Sequence, residues 1–338
     1  MKAIRVISEG DGARLELHDE PLPSPGRREV LIRIHAASLN FRDVALLKGQ
    51  YPANTKKNVI PLSDGAGEVV AVGREGTRVK VGDRVAISCT EDWISGPYVP
   101  EYRSSSVGFI IDGVLAEYAV FHENALVHLP DYMTYTEAAS LPCAAVTAWT
   151  SLNFITPLLP GQSVLIQGTG GVSMFALQIA KVFGARVLAI TSSDEKAEKL
   201  KEMGAEAVVN YSTHPDWDRE ILALTDGRGV DKVLDIAGEK TIVKSAASTK
   251  ITGEIALIGF ASGIGGGLGA IDILSRSLTI RGSTIGPRTD FEALLKVMEI
   301  HQLRPVIDRI YPFADYLEAY KRIESGKHVG KVVIDLTK

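Results

Sequence analysis

The residues with the clearest chemical potential are Gly168-Thr169-Gly170-Gly171-Val172-Ser173. A short apolar run, Val164-Leu165-Ile166, precedes them and reads as a buried parallel strand. Behind them Val172, Phe175, Ala176, Ile179, Ala180 and Phe183 recur at helical spacing, and Gly184 stands where a helix would stop. Arg186-Val187-Leu188-Ala189-Ile190-Thr191 completes a strand–helix–strand unit. In that setting Gly168 and Gly170 let the backbone turn tightly and approach a pyrophosphate. The N–H groups that begin the helix then face the anion. Ser173 replaces the third glycine of the usual pattern but is small enough for close helix–strand packing. A purely structural strand-to-helix turn is the alternative.

The elements that must position this turn follow from the rest of the chain. Six apolar runs start near Val164, Arg186, Ala207, Lys232, Glu254 and Leu278 and are separated by helical patterns. They predict a doubly wound parallel sheet. Tyr135 to Leu152 reads as one helix, and Gly263 to Gly269 as a flexible loop. Before Pro130 the chain is β-rich, with strands at Val30–Ala36, Gly67–Gly73 and Asp83–Ile87, as in a compact barrel-like domain. Cys89 to Gly113 has no period and reads as a long loop, either a lid or interface arm or a disordered excursion. Helices near Phe291–Ile300 and Tyr316–Ile323 and a strand Lys331–Ile334 close the chain.

Composition narrows the function. The 338 residues suffice for two domains, and the net charge of -4 gives no electrostatic case for nucleic acid or an anionic membrane. The N-terminus alternates like a strand and soon reaches Glu9 and Asp11. It shows no signal-peptide core, and no run is long enough to span a bilayer. Two cysteines, Cys89 and Cys143, cannot form a disulfide framework, and a reducing cytoplasm is the expected location. The seven histidines show no metal-ligand spacing.

The glycine turn, Ser38-Leu39-Asn40-Phe41-Arg42-Asp43, Gly65-Ala66-Gly67-Glu68-Val69, Val81-Gly82-Asp83-Arg84-Val85, Leu141-Pro142-Cys143-Ala144 and Gly330-Lys331-Val332-Val333 occur in an order that resembles the medium-chain dehydrogenase/reductase superfamily. The resemblance spans nearly the whole chain. It implies an α/β protein: a GroES-like β-rich catalytic domain with an inserted six-stranded Rossmann domain. The expected boundaries are 1–127 for the first part of the catalytic domain, 128–287 for the cofactor-binding domain and 288–338 for the returning part. Where zinc-dependent members carry ligands, this chain has Asn40 and Ser63, and only Cys143 matches a ligand position. The expectation is therefore no catalytic metal, and a place in the zinc-free quinone oxidoreductase-like branch.

That resemblance places Asn40 and Tyr51, the latter within Gly49-Gln50-Tyr51-Pro52, near the substrate. An amide N–H and a phenol O–H can stabilise the enolate oxygen formed when hydride reaches the β carbon of an activated alkene. Asn40 as a loop cap and Tyr51 as a half-buried core aromatic are the plainer readings. Asp43 either orients neighbours or pairs with Arg42. Cys143 is a small buried residue or a reactive thiol. The cofactor, expected to be NADP(H), would meet Thr147 and Gly168, Thr169, Gly170, Gly171 and Val172. It would also meet Thr191, Ser192, Ser193, Lys196 and Tyr211, then Asp235, Gly259 and Phe260 at strand ends, and Lys331. Thr147 could equally be helix packing, and Lys331 a surface lysine. Thr191-Ser192-Ser193 puts no carboxylate at the end of the second strand, where NAD-dependent relatives have one, and Lys196 offers a positive charge. The expected activity is NADPH-dependent reduction of a quinone or α,β-unsaturated carbonyl, with homodimers or dimers of dimers. The alternatives are an alcohol dehydrogenase-like oxidoreductase and a non-catalytic NADPH-binding protein.

Overall fold

The computed structural model describes residues 1–9, 12–51, 55–153 and 155–338. Asp11 and Pro52, which figured in the sequence reading, lie outside the described residues. The chain begins with β1 (Lys2–Glu9), β2 (Gly12–Asp19), β3 (Glu29–Ser38), α1 (Phe41–Leu47), β4 (Asp64–Val72), β5 (Arg84–Ile87), β6 (Tyr118–His122), β7 (Leu126–His128) and α2 (Tyr135–Ala138). It continues with α3 (Ala144–Asn153), β8 (Ser163–Gln167), α4 (Gly171–Val182), β9 (Arg186–Thr191), α5 (Asp194–Glu202), β10 (Ala207–Asn210), α6 (Trp217–Leu224) and β11 (Val230–Asp235). Next come α7 (Ile242–Ser248), β12 (Thr249–Leu257), α8 (Ala270–Leu274) and β13 (Thr279–Gly282), then α9 (Arg288–Ile300), β14 (Ile307–Pro312), α10 (Tyr316–Glu324) and β15 (Lys331–Asp335). Two compact units result: Met1–Val146 with Ile285–Lys338, and Thr147–Thr284. Residues 128–146, assigned from sequence to the cofactor-binding domain, lie with the first unit.

In the first unit a sheet runs β14-β15-β3-β4-β5-β7, with β6 also on β3, and β1 and β2 form a separate hairpin. Strand β3 is the centre of this sheet. Its alternation of Ile32, Ile34 and Ala36 is buried because neighbours cover it on both sides. Ser38, at its end, pairs with Asp64 of β4 on one side and with Val333 of β15 on the other. This register brings residue 40, the start of β4 and the start of β15 to one place, although they are far apart in sequence.

The Cys89 to Gly113 segment is the long irregular loop expected from sequence, packed in place and not a disordered excursion. Val107, Phe109 and Trp93 are buried, and a 3-10 turn at Pro100–Ser105 shapes the stretch. Its backbone is tied back by Val107 N–H to Cys89 O (3.0 Å) and Gly113 N–H to Ile60 O (2.7 Å). The absence of a period reflects irregular backbone packed into the core. The single helix expected over Tyr135–Leu152 is broken into α2 and α3, because Pro142 has no N–H and restrains the residue before it. Cys143 therefore sits on a turn.

The second unit carries the order β10-β9-β8-β11-β12-β13 with every pairing parallel. The six apolar runs are its six strands, and the order is that of a dinucleotide-binding sheet. The Gly263–Gly269 loop lies against Glu239, whose Oε2 accepts the Gly265 N–H at 3.1 Å. Among the described residues no helix is long and apolar enough to cross a membrane.

The close approach at Gly113 gives a direct test of the packed segment. A Cβ there would lie 2.1 Å from Leu62 O and 2.6 Å from Pro61 O, both backbone atoms that cannot rotate away. Gly113→Ala should destabilise the protein by about 1–3 kcal/mol, as overpacking does. Urea unfolding of variant and wild type measures it, and an unchanged midpoint would mean the segment is loosely held.

Candidate active site

Helix α1 starts at Asn40 because Asp43, three residues on, accepts the Asn40 N–H on its Oδ2 at 2.7 Å. It ends with Gly49 N–H on Leu46 O and Gln50 N–H on Ala45 O, which turns the chain to deliver Tyr51. Asn40 is anchored from across the sheet. The Lys331 ammonium donates to Asn40 Oδ1 (2.6 Å), to Leu39 O (2.8 Å) and to Asp64 Oδ2 (3.2 Å). An ammonium only donates, so it fixes the amide oxygen toward itself and turns the NH2 away. Asn40 Nδ2 is buried and has no partner among the described residues, as is Arg42 Nε two residues on.

The rest of the cluster was not singled out from sequence as a site. Arg42 donates through Nη2 to Ser63 Oγ, and Ser63 Oγ donates to Asp64 Oδ1 at 2.8 Å. The Phe109 ring packs against the Arg42 guanidinium (4.9 Å) on one contact and the Tyr51 ring (4.8 Å) on another. Phe109 therefore links the two positions. Burial alone would raise the Asp64 pKa, but Lys331 and Arg42 outweigh it and hold the carboxyl below its ordinary value. Asp43 goes the other way. Burial pushes it up to about 6, only partly opposed by Arg42 and the Asn40 N–H, and its Oδ1 has no partner among the described residues.

Lys331 is not the surface lysine that was one of the two readings open from sequence. It is 2% exposed, and its three protons meet three acceptors of the first unit. The sequence signal that could have found this is register: Lys331 precedes by two residues the strand position paired with Ser38.

In the second unit Gly168 has φ +69°, open space where a Cβ would lie, and its N–H on Ile190 O (2.7 Å). Gly170 caps α4, with Gly171 and Val172 as its first residues and Thr169 buried just before. Ser173, the departure from three glycines, donates to Gln167 O at 2.6 Å and locks the helix start onto β8. Thr191 ends β9 fully buried, and its Oγ1 has no partner among the described residues. Ser192 O accepts from Ser212 Oγ (2.9 Å), and Ser193 caps α5 by accepting the Lys196 N–H (3.3 Å). Asp194 Oδ1 accepts from Asn210 Nδ2 (2.7 Å), and Tyr211 is exposed beside it. Thr147 is buried on α3, and Gly259 and Phe260 follow β12.

Asp235 is the last residue of β11. Its Oδ1 accepts from Ala237 N–H, Gly238 N–H and Thr241 Oγ1, and its Oδ2 from Ser245 Oγ at 2.7 Å. The carboxylate is engaged in shaping the turn after β11, so it builds the strand end that the sequence reading placed beside the cofactor.

Comparison with known proteins agrees with this architecture. The alcohol dehydrogenase GroES-like domain model matches residues 26–131, and the zinc-binding dehydrogenase model matches 171–299. A zinc-type alcohol dehydrogenase-like protein of Schizosaccharomyces pombe is 39% identical over 98% of this chain and 97% of its own. The quinone oxidoreductase of Pseudomonas aeruginosa is 33% identical over 98% and 99%. The crystal structure of an NAD-dependent alcohol dehydrogenase superposes with TM-score 0.89 at 33% identity, covering 99% of this chain and all of that one (100%). The chain belongs to the medium-chain dehydrogenase/reductase superfamily. It is accordingly an oxidoreductase of a family that works with a nicotinamide cofactor.

The superfamily includes zinc enzymes, so the residues here were weighed as ligands. Asp64, Cys89 and Cys143 offer atoms within 4.8 Å of one another. Yet the Lys331 ammonium is 3.2 Å from Asp64 Oδ2, and the Arg42 guanidinium bonds Ser63 beside it. Two fixed cations in the place of a third cation, with Asn40 and Ser63 as the other side chains, do not fit a catalytic zinc.

Asp43 makes the site's strength pH-dependent in a defined direction. In the folded chain it keeps its proton to about pH 6, above its value of 3.8 when exposed. Its stabilising contribution is complete below the lower value and is lost as pH rises through the upper one. Asp43→Asn keeps an oxygen for the Asn40 N–H and cannot ionise. The variant should gain on wild type by on the order of 2–3 kcal/mol between pH 4 and 7, then stay level. Denaturant unfolding across that range checks it, and a pH-independent difference would place the ionisation elsewhere.

Proposed function

We propose that this chain is an NADPH-dependent, metal-independent reductase that delivers hydride to a quinone or α,β-unsaturated carbonyl. The observation that carries the reading is the Asn40 amide. It is pinned by its oxygen to Lys331, and its buried NH2, near the Asp64 carboxylate, has no well-formed hydrogen bond among the described residues. A buried donor without an acceptor is costly, and an oxygen that gathers negative charge would satisfy it. Arg42 Nε, in the same turn, is a second such donor with a full positive charge.

The second unit fits the cofactor. The open space at Gly168, the helix start behind it and the orphaned Thr191 hydroxyl are what a dinucleotide would fill. When bound, the dihydronicotinamide supplies the hydride. Gly168–Val172 would hold the pyrophosphate, and Thr191, Ser192, Ser193, Lys196 and Tyr211 would surround the ribose and its 2′-phosphate. As hydride reaches the β carbon, the electron pair moves to the substrate oxygen. Asn40 Nδ2 and the Tyr51 phenol donate to it there. Lys331 does not touch substrate and acts by holding Asn40.

An alcohol–aldehyde interconversion is the second reading, favoured by the alcohol dehydrogenases among the relatives. Metal-dependent alcohol oxidation would need ligands that Asn40 and Ser63 cannot supply. We also read the protein as a cytoplasmic homodimer. Among the described residues β13 pairs with β12 alone, and Ile264, Ile271 and Leu274 are each at least 70% exposed on the same unit.

Assay of NADPH oxidation with quinones and enones, beside NAD(P)+ reduction with alcohols, separates the readings. Turnover confined to the alcohols would overturn the first. Tyr51→Phe should lower kcat with enone or quinone about 10- to 100-fold while leaving NADPH binding unchanged, since the phenol acts on charge that develops during reaction. An unaltered kcat would assign Tyr51 to packing against Phe109.

Cofactor choice has its own test. A phosphate–lysine contact is worth about 1.5–3 kcal/mol, so Lys196→Ala should raise the NADPH Kd roughly 10- to 100-fold and leave NADH nearly unchanged. Fluorescence titration of both cofactors decides it. Equal affinities in the wild type would contradict the preference.

A further inference from the structure

Reduction by the residues above makes no use of the thiols beside them. Cys89 and Cys143 are the only cysteines of the chain. Cys89 follows β5 and is buried, while Cys143 sits on the turn before α3 and is partly exposed. Their sulfurs lie within 4.8 Å of each other, and Asp64 is within the same distance of both. A disulfide needs about 2 Å between sulfurs, so the bond requires the two side chains to move together. The surroundings divide the pair by role. Cys89 donates to Ser63 Oγ and Asp64 Oδ1 at 3.4 Å each, inside the sheet. Cys143 is the one reached from solvent.

We propose that Cys143 and Cys89 are a hydroperoxide-sensitive pair that closes into a reversible disulfide within the active-site cluster. The Cys143 thiolate attacks the distal oxygen of a hydroperoxide, the O–O bond breaks, and the alcohol or water leaves with a proton. Cys143 is then a sulfenic acid. The Cys89 thiol attacks that sulfur, the S–O bond breaks, and water departs with the Cys89 proton. Two thiols have been oxidised and one peroxide reduced. A dithiol reductant reverses the second bond by exchange.

The electrostatics agree with this order. The neighbouring Cys89 thiol first, and then Arg42 and Lys331, lower the Cys143 pKa below that of an ordinary thiol, against burial and Asp64. Burial raises that of Cys89, which keeps it protonated and leaves Cys143 as the first of the two to meet the peroxide. The same two cations that exclude a metal therefore favour a thiolate. Closing the bond takes the Cys89 proton away from Ser63 and Asp64 and draws the Cys143 turn toward β5. That disturbs the cluster that anchors Asn40, and turnover should fall until the bond is reduced, an outcome that rests on the proposed role of Asn40.

The test uses full-length reduced protein and hydrogen peroxide in small excess. Thiol titration should fall from two to none, the intact mass should drop by about 2 Da, and peptide mapping should join Cys89 to Cys143 within one chain. Dithiothreitol should restore both thiols. In Cys89→Ser, Cys143 should stop at a sulfenic acid trapped by dimedone. In Cys143→Ser, Cys89 should remain a thiol. Persistence of both thiols, linkage between chains, or sulfinic acid at Cys143 with Cys89 still reduced would each overturn the proposal. These chemical readouts stand apart from activity: disulfide formation without loss of turnover would uphold the pair and count against the role given to Asn40.

Discussion

The Lys331 ammonium is the interaction on which the first unit's site depends. It comes from the last strand, and it holds a carbonyl and an amide just beyond β3 and a carboxylate at the start of β4. Each of these groups is buried or nearly so, and none could be left unsatisfied without a cost comparable to a large fraction of a domain's stability. Removing the lysine would leave the buried Asp64 carboxylate without its nearest cation and release the Asn40 amide to rotate. The charge pair is therefore a positioning device, and its energetic value lies in the penalty for breaking it.

Around that pair the site is balanced by organic cations. Asp64 stays ionised because Lys331 and Arg42 face it, although it is wholly buried. Asp43, on α1, is also buried, and there burial outweighs Arg42 and Lys331, so it rises. Two carboxylates 21 positions apart thus shift in opposite directions, set by environment. Asn40 and Arg42 keep donors without a partner among the described residues, and the Cys89 thiol together with the two cations depresses the Cys143 thiol, so the same arrangement bears on both oxyanion stabilisation and sulfur chemistry.

The second unit solves a different problem, which is to hold strand ends still around a glycine turn. Gln167, at the end of β8, donates to Ser245 Oγ (2.9 Å), and Ser245 donates to Asp235. Asp235 in turn gathers the backbone after β11. Ser173 fastens the start of α4 to the same strand end. This buried network fixes the carboxyl ends of neighbouring strands β8 and β11, where parallel sheets present their ligands.

The sequence by itself determined the elements whose signals are local. The strand–glycine turn–helix unit at Val164–Thr191, the six parallel strands, the β-rich first part and the loss of zinc ligands at Asn40 and Ser63 were all legible, because period, turn chemistry and ligand type are properties of short stretches. It read Cys89–Gly113 as a loop but not how closely it is packed, since an irregular segment packed into a core has no period to show it, and it ran one helix through Pro142. It could not assign Asp235 or Lys331. A carboxylate at a strand end looks the same whether it will meet a ribose or its own turn, and a lysine carries no mark of burial. Only the antiparallel register of β3 with β4 and β15 brought Lys331, Asn40 and Asp64 together, and with them Arg42, Cys89 and Cys143. Those contacts are long-range, and their energies depend on desolvation, which exists only once the sheet has closed around them.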